Sequence, residues 1–257
     1  MAEEISNLKD DKSVCNDSSE DEKDGAGVDC GLSLEKLNLG PRKKLLVLGL
    51  GGLLCHRVYR RDRSRTTFGK PDASYGNFFV YKRPYCEEFM KFCLEKFEVG
   101  IWSSAREWYL ESALNCIMKG LRSKLLFAWD QEQCTDSGFK ALENKRKPIF
   151  LKELKKLDNR RIQYSASNTL LIDDNPYKAL LNPPHTAIFP YEYKTDQVGD
   201  DALGPRGDLR LYLEGLADAD QDVPSYVKDH PFGQPAITSA HSDWDFYSEI
   251  IRKLQKD

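Results

Sequence analysis

The sequence predicts an α/β domain: a mostly parallel sheet with helices on both faces and a small flap inserted near its start. Three observations lead there. Leu45-Leu46-Val47-Leu48 and Thr169-Leu170-Leu171-Ile172 are continuous apolar runs bounded by polar residues, the pattern of strands buried on both faces. Between them lie segments with apolar residues at helical spacing. The two kinds alternate, as parallel strands require, because each return to the same sheet needs a crossover that is usually a helix.

The first strand follows Pro41-Arg42-Lys43-Lys44. Residues 55–75 carry Arg57, Arg60, Arg61, Arg63 and Arg65 and end in turn formers, so they are expected to form an exposed flap. A short strand is expected at 77–82. Pro84 then stands where a helix starts, and Phe89, Phe92, Cys93 and Phe97 give that helix an apolar stripe. A strand at 99–102 follows, then a helix carrying Trp108, Leu110, Leu114 and Ile117 that Gly120 can end. Residues 125–129 read as a strand and 130–147 as an irregular excursion. Leu151, Leu154 and Leu157 mark another helix. The strand at 169–172, a last short strand at 186–189 and helices near 208–217 and 243–255 complete the chain.

A chain of 257 residues with 40% apolar and 31% charged residues suits one sizeable core plus a tail. The formal charge of −3 is unevenly spread: residues 1–40 hold four lysines against eleven acidic residues, leaving 34 basic against 30 acidic in 41–257. Residues 1–40 are too polar to offset the entropy of ordering and are expected to be a disordered acidic tail on a single domain, 41–257. Within the tail, Ser18-Ser19-Glu20-Asp21-Glu22 reads equally as an acidophilic kinase site or as solvating polarity. The body lacks the concentrated basic face of a nucleic-acid binder. Seven cysteines without CxxC pairing read as free thiols in a reducing compartment. No apolar run approaches a membrane span, and the acidic start is unlike a mitochondrial transit peptide. The expectation is a nuclear or cytoplasmic protein with no membrane and no nucleic-acid partner; oligomeric state stays open.

Ligands of open α/β sheets bind outside the carboxyl ends of the strands. Collected there are Gly49-Leu50-Gly51-Gly52, Ser103-Ser104, Lys152 and Asp173-Asp174-Asn175-Pro176. A hydroxyl and a lysine can hold phosphoryl oxygens, while paired carboxylates suit Mg²⁺. Bland readings compete at each position. The glycines fail the dinucleotide pattern because Leu54 stands at its third glycine. Asp173-Asp174 could cap the helix expected after Pro176, and Lys152 could be one more solvated lysine. The arginines of 57–65 read first as a solvated flap and second as a docking surface for acidic or phosphorylated partners. Trp102, Trp108 and Trp129 read as core. His185 and His230 have no metal-like spacing.

The order of these pieces resembles the haloacid dehalogenase superfamily, and within it the small C-terminal-domain phosphatases and NLI-interacting-factor-like proteins. The residues that carry it are Leu46-Val47-Leu48, Tyr81-Lys82-Arg83-Pro84, Trp102-Ser103-Ser104-Ala105, Leu151-Lys152-Glu153-Leu154 and Leu171-Ile172-Asp173-Asp174-Asn175-Pro176. They cover about 44–195. The resemblance implies a DxDx[TV]-like motif after the first strand, its first Asp the nucleophile and its second the general acid and base, with Mg²⁺ bound alongside. Here Gly49 stands at the nucleophile position and Gly51 at the acid/base position. Ser103 and Lys152, implied phosphate binders, and Asp173 and Asp174, implied metal ligands, are all present.

Glycine can neither attack phosphorus nor shuttle a proton, and losing one nucleophile can slow a hydrolase about 10⁶-fold. The chain is therefore expected to be a catalytically impaired phosphatase homologue, a pseudoenzyme that binds a protein or phosphoprotein partner. Mg²⁺, if it binds, is expected to be no tighter than about millimolar. The alternative is an active Mg²⁺-dependent serine/threonine phosphatase with substitute groups, Cys55 and His56 being nearest the lost motif. Removing residues 1–40 should shift the melting temperature by only about a degree or two, checked by calorimetry; a drop of roughly ten degrees would place part of the tail in the fold.

Overall fold

The computed structural model describes residues 43–65, 69–158 and 164–256; the expected tail, 1–40, lies outside them. The strands are β1 (Leu45–Leu48), β2 (Cys55–Tyr59), β3 (Ala73–Tyr75), β4 (Phe78–Lys82), β5 (Glu98–Trp102), β6 (Phe127–Trp129), β7 (Thr135–Lys140), β8 (Pro148–Leu151), β9 (Thr169–Ile172) and β10 (Ala187–Ile188). The α-helices are α1 (Cys86–Lys96), α2 (Glu107–Ile117), α3 (Lys155–Asp158), α4 (Asp208–Asp218), α5 (Val223–Asp229) and α6 (Trp244–Leu254). Short 3₁₀ turns fill several connections, including Pro176–Ala179.

The central sheet runs β10-β9-β1-β5-β6, and every neighbouring pair is parallel. All four side chains of β1 are fully buried, as the apolar run predicts for a strand covered on both sides. Successive side chains point to opposite faces. Leu46 and Leu48 join one apolar cluster with residues of α1, α2, α4 and α5. Leu45 and Val47 join another with Trp102, Trp129, Leu154 and Leu157. Both edge strands are short, β6 with three residues and β10 with two, which limits the unpaired backbone they offer.

Register places the site. Leu48 lies opposite both Ile101 and Ile172. The residues just beyond (Gly49, Trp102 and Asp173) therefore emerge side by side at the carboxyl edge of three adjacent strands.

The α/β expectation is met, with five corrections. The flap is no plain exposed loop: β2, β4 and β3 form an antiparallel sheet in which Val58, Phe79 and Tyr81 make a small core of their own. The excursion at 130–147 contains β7, which pairs with β8 through a bulged register. That pairing puts Leu151 on a strand, so the helix expected from there shrinks to α3. On the second face of the sheet Leu45 and Val47 pack with Leu154 and Leu157 at α3, and α6 packs on the hairpin through Tyr247 and Ile250. A further helix, α5, was not foreseen; Asp222 caps it by accepting from the Ser225 N–H at 2.8 Å, with Pro224 in the first turn where its missing donor does no harm. Finally, Trp102 and Trp129 are core, but Trp108 is 49% exposed.

Arg83, just past β4, holds Asp200 through two bonds of 2.6 and 2.8 Å and also donates to the Leu53 carbonyl at 3.3 Å. Its side chain is 6% exposed, so removing it strands a carboxylate in a mostly dry place. Arg83→Met should destabilise by about 3 kcal/mol in urea titrations. Lys82→Met, whose ammonium pairs with the half-exposed Glu87, should cost less than about 1 kcal/mol.

Candidate anion site at the carboxyl edge of the sheet

The site is built around Asp173, which is 0% exposed. One carboxylate oxygen accepts from the Lys152 ammonium at 2.5 Å and the other from the Lys178 ammonium at 2.6 Å; the latter also accepts from the Asn175 N–H at 3.2 Å. Burial alone would raise its pKa, but the two lysine charges outweigh that and hold the carboxyl well below the usual range. Lys152 is fixed at both ends. Its ammonium also donates to the Trp102 carbonyl, its N–H donates to the Lys178 carbonyl at 2.7 Å, and its carbonyl accepts from Asn182 at 2.8 Å.

Lys178 sits on the turn Pro176–Ala179 and bridges two carboxylates, lying 3.2 Å from Asp174 as well. Burial disfavours its charge, yet Asp173 and Asp174 prevail and keep it well above the ordinary lysine range. Asp174 is less well compensated: burial, with the Asp173 charge adding to it and Lys178 only partly opposing, raises it to about 6. Neither aspartate offers the helix capping considered above, since Asn175 holds the cap position of the turn without a side-chain bond.

Gly49 is buried, and its N–H donates to the Ile172 carbonyl at 2.8 Å. A Cβ there would lie 2.8 Å from the Asp173 oxygen that Lys152 holds. A Cβ on Gly51 would meet nothing within 4 Å. The two positions thus differ: a Cβ at 51 has open space around it, whereas a Cβ at 49 requires the Asp173 carboxylate to shift.

A cleft of about 280 Å³ opens over these residues. Gly51, Ser103, Ser104 and Lys152 line it, together with Arg57, Lys147, Lys178, Tyr109 and Tyr177. Four cations face it, and neither Asp173 nor Asp174 is among its walls. The Ser103 hydroxyl accepts from the Ala105 N–H at 3.1 Å. Arg57 is sandwiched between Phe78 and Tyr109, 4.7 and 4.6 Å from the ring centres. Of the predicted site residues, Gly51, Ser103 and Lys152 line the cleft, Gly49 lies beside Asp173, and both aspartates face the lysines rather than the cleft. Lys147 and Lys178 were missed as site residues; for Lys178 a signal existed, since Asp174 and Lys178 stand four residues apart.

Cys55 and His56 do not line this cleft. Cys55 is fully buried, its sulfur 3.9 Å from the Tyr109 hydroxyl, and burial pushes its thiol up to about 12, which leaves almost no thiolate. His56 is turned towards Thr195, accepting from its N–H at 3.1 Å, and burial lowers its pKa.

Mg²⁺, implied by the resemblance, needs near-octahedral oxygen ligation. Residues 49 and 51 supply no side chain, and both remaining carboxylates are occupied by ammonium groups. Among the described residues no group of three or more His, Cys, Asp or Glu is placed to hold a metal. The residues present do not fit the ion.

Residues 44–224 match the family model described as NLI interacting factor-like phosphatase. No curated protein matches the sequence. Among solved structures, the chain is similar to an arginine-to-alanine form of the fission yeast RNA polymerase II CTD phosphatase Fcp1 bound to beryllium fluoride, with 13% identity, a TM-score of 0.42, and coverage of 84% of this chain and 51% of that one. A second structure, of Fcp1 described as an essential RNA polymerase II CTD phosphatase, gives 13% identity, a TM-score of 0.38, and coverage of 84% and 62%. The chain thus spans less than two thirds of either. The family model, by contrast, takes in the central sheet, the flap, the cleft and α4, well over half of the 257 residues, and the chain belongs to the NLI interacting factor-like phosphatase family.

Proposed function

We propose that this chain is a phosphomonoester-binding module that has lost phosphoryl-transfer chemistry and engages a protein partner through a phosphorylated serine or threonine. The observation that carries this reading is a cleft faced by Arg57, Lys147, Lys152 and Lys178 with no carboxylate in its wall, set over glycines at both positions where the family motif calls for aspartate. An active site with four carboxylates repels a phosphate dianion until a metal offsets them. Here the two carboxylates that remain, Asp173 and Asp174, are already offset by the Lys152 and Lys178 ammonium groups, so the repulsion is weaker. Lys152 and Lys178 each donate two of their three protons to protein acceptors, which leaves one each for a phosphoryl oxygen. Charge-assisted bonds of this kind are roughly twice as strong as neutral ones.

Phosphorylated and unphosphorylated versions of one serine peptide, titrated by fluorescence anisotropy, should differ at least about tenfold in affinity, since a bond to a charged group contributes about 1.5–3 kcal/mol. Lys147→Ala, which leaves the buried pairs intact, should remove most of that difference. Para-nitrophenyl phosphate should stay unhydrolysed with or without Mg²⁺. Mg²⁺-dependent hydrolysis that disappears in Lys152→Ala would overturn the reading in favour of an active phosphatase.

A further inference from the structure

Asp173 and Asp174 carry two negative charges, and Lys152 and Lys178 carry two positive ones, all at side chains no more than 9% exposed. The cluster is already neutral. A divalent cation added to it would leave two buried positive charges unanswered, at a cost of several kcal/mol per desolvated ion. Lys178 also stands in the way. Its ammonium lies 2.6 and 3.2 Å from one oxygen of each aspartate, and those are the donors a metal would need.

The backbone holds Lys178 there as well. Its N–H donates to the Asn175 carbonyl at 3.0 Å and its carbonyl accepts from Lys152 at 2.7 Å, so the side chain starts from a fixed point four residues after Asp174. We propose that the Lys178 ammonium is a built-in replacement for the divalent cation, and that the site keeps its shape and charge balance with no metal at all. This goes beyond the phosphopeptide reading and stands or falls apart from it, because its test uses protein without any phosphate ligand.

The full chain is melted in EDTA, in 10 mM Mg²⁺ and in NaCl of matched ionic strength. Wild type should melt within about one degree in all three. Lys178→Ala should melt lower in EDTA and rise by about 3–5 °C in Mg²⁺ but not in NaCl, as expected for a half-saturation near 1 mM. If the alanine variant does not fold in EDTA, Lys178→Gln, which keeps much of the volume, takes its place with the same expectation; if neither folds, the response of the wild type decides. A wild type stabilised by Mg²⁺ to the extent expected of the variant overturns the proposal. So does a folded variant no more responsive to Mg²⁺ than wild type.

Discussion

A carboxylate with no exposure to solvent is an expensive thing to keep charged, and Asp173 is kept charged by two ammonium groups arriving from different parts of the fold. Lys152 comes from the end of the hairpin and Lys178 from the turn after β9. Because Lys152 also bonds the carbonyl at the end of β5, three separate segments are tied together within one residue of the sheet's carboxyl edge. The desolvation of these ions is offset only while every partner is in place. Rearranging one would expose the others, so the cluster makes the cleft a preformed feature rather than something a ligand has to assemble.

Gly49 belongs to the same constraint. The space its side chain would fill is the space taken by the Asp173 oxygen that faces Lys152. A side chain at 49 and the present position of the Asp173 carboxylate therefore compete for the same space. Gly51 is different, exposed and with open space around it, and nothing in the packing demands a glycine there. The two positions, equivalent as losses in a motif, are unequal as structures.

Much of this was legible in the sequence because buried parallel strands write themselves as apolar runs. β1 and β9 were found that way, and once their ends were known the residues after them could be collected as one site. The hairpin of β7 and β8 was not legible: Asp136, Gly138 and Lys140 break any apolar alternation, and the strand is specified by pairing with β8 and by Ser137 donating to the Ile149 carbonyl at 2.9 Å. Trp108 misled because it lies in a helix whose other large side chains are buried. Its ring instead rests against Phe78 at 6.4 Å between centres and leaves about half its surface open. For Lys178 the four-residue spacing from Asp174 is the one sequence signal; its second partner, Asp173, follows only from the turn geometry.

The flap shows what an arginine-rich segment can do beyond being soluble. Arg57 alternates with buried Val58 on β2, so the strand that gives the flap its core also aims a guanidinium at the cleft. Sandwiching between Phe78 and Tyr109 restrains that side chain with no carboxylate partner among the described residues, and a guanidinium held by aromatic faces keeps its edge donors available. Paired with an aspartate it would be neutralised; left in water it would lose entropy on every binding event. In the proposed reading, Arg57 would meet an incoming anion with its orientation largely set and no carboxylate bound to it among the described residues. The flap and the ion cluster reach the same end by opposite means, one by aromatic packing and the other by charge pairing, and the cleft between them is where both kinds of restraint converge.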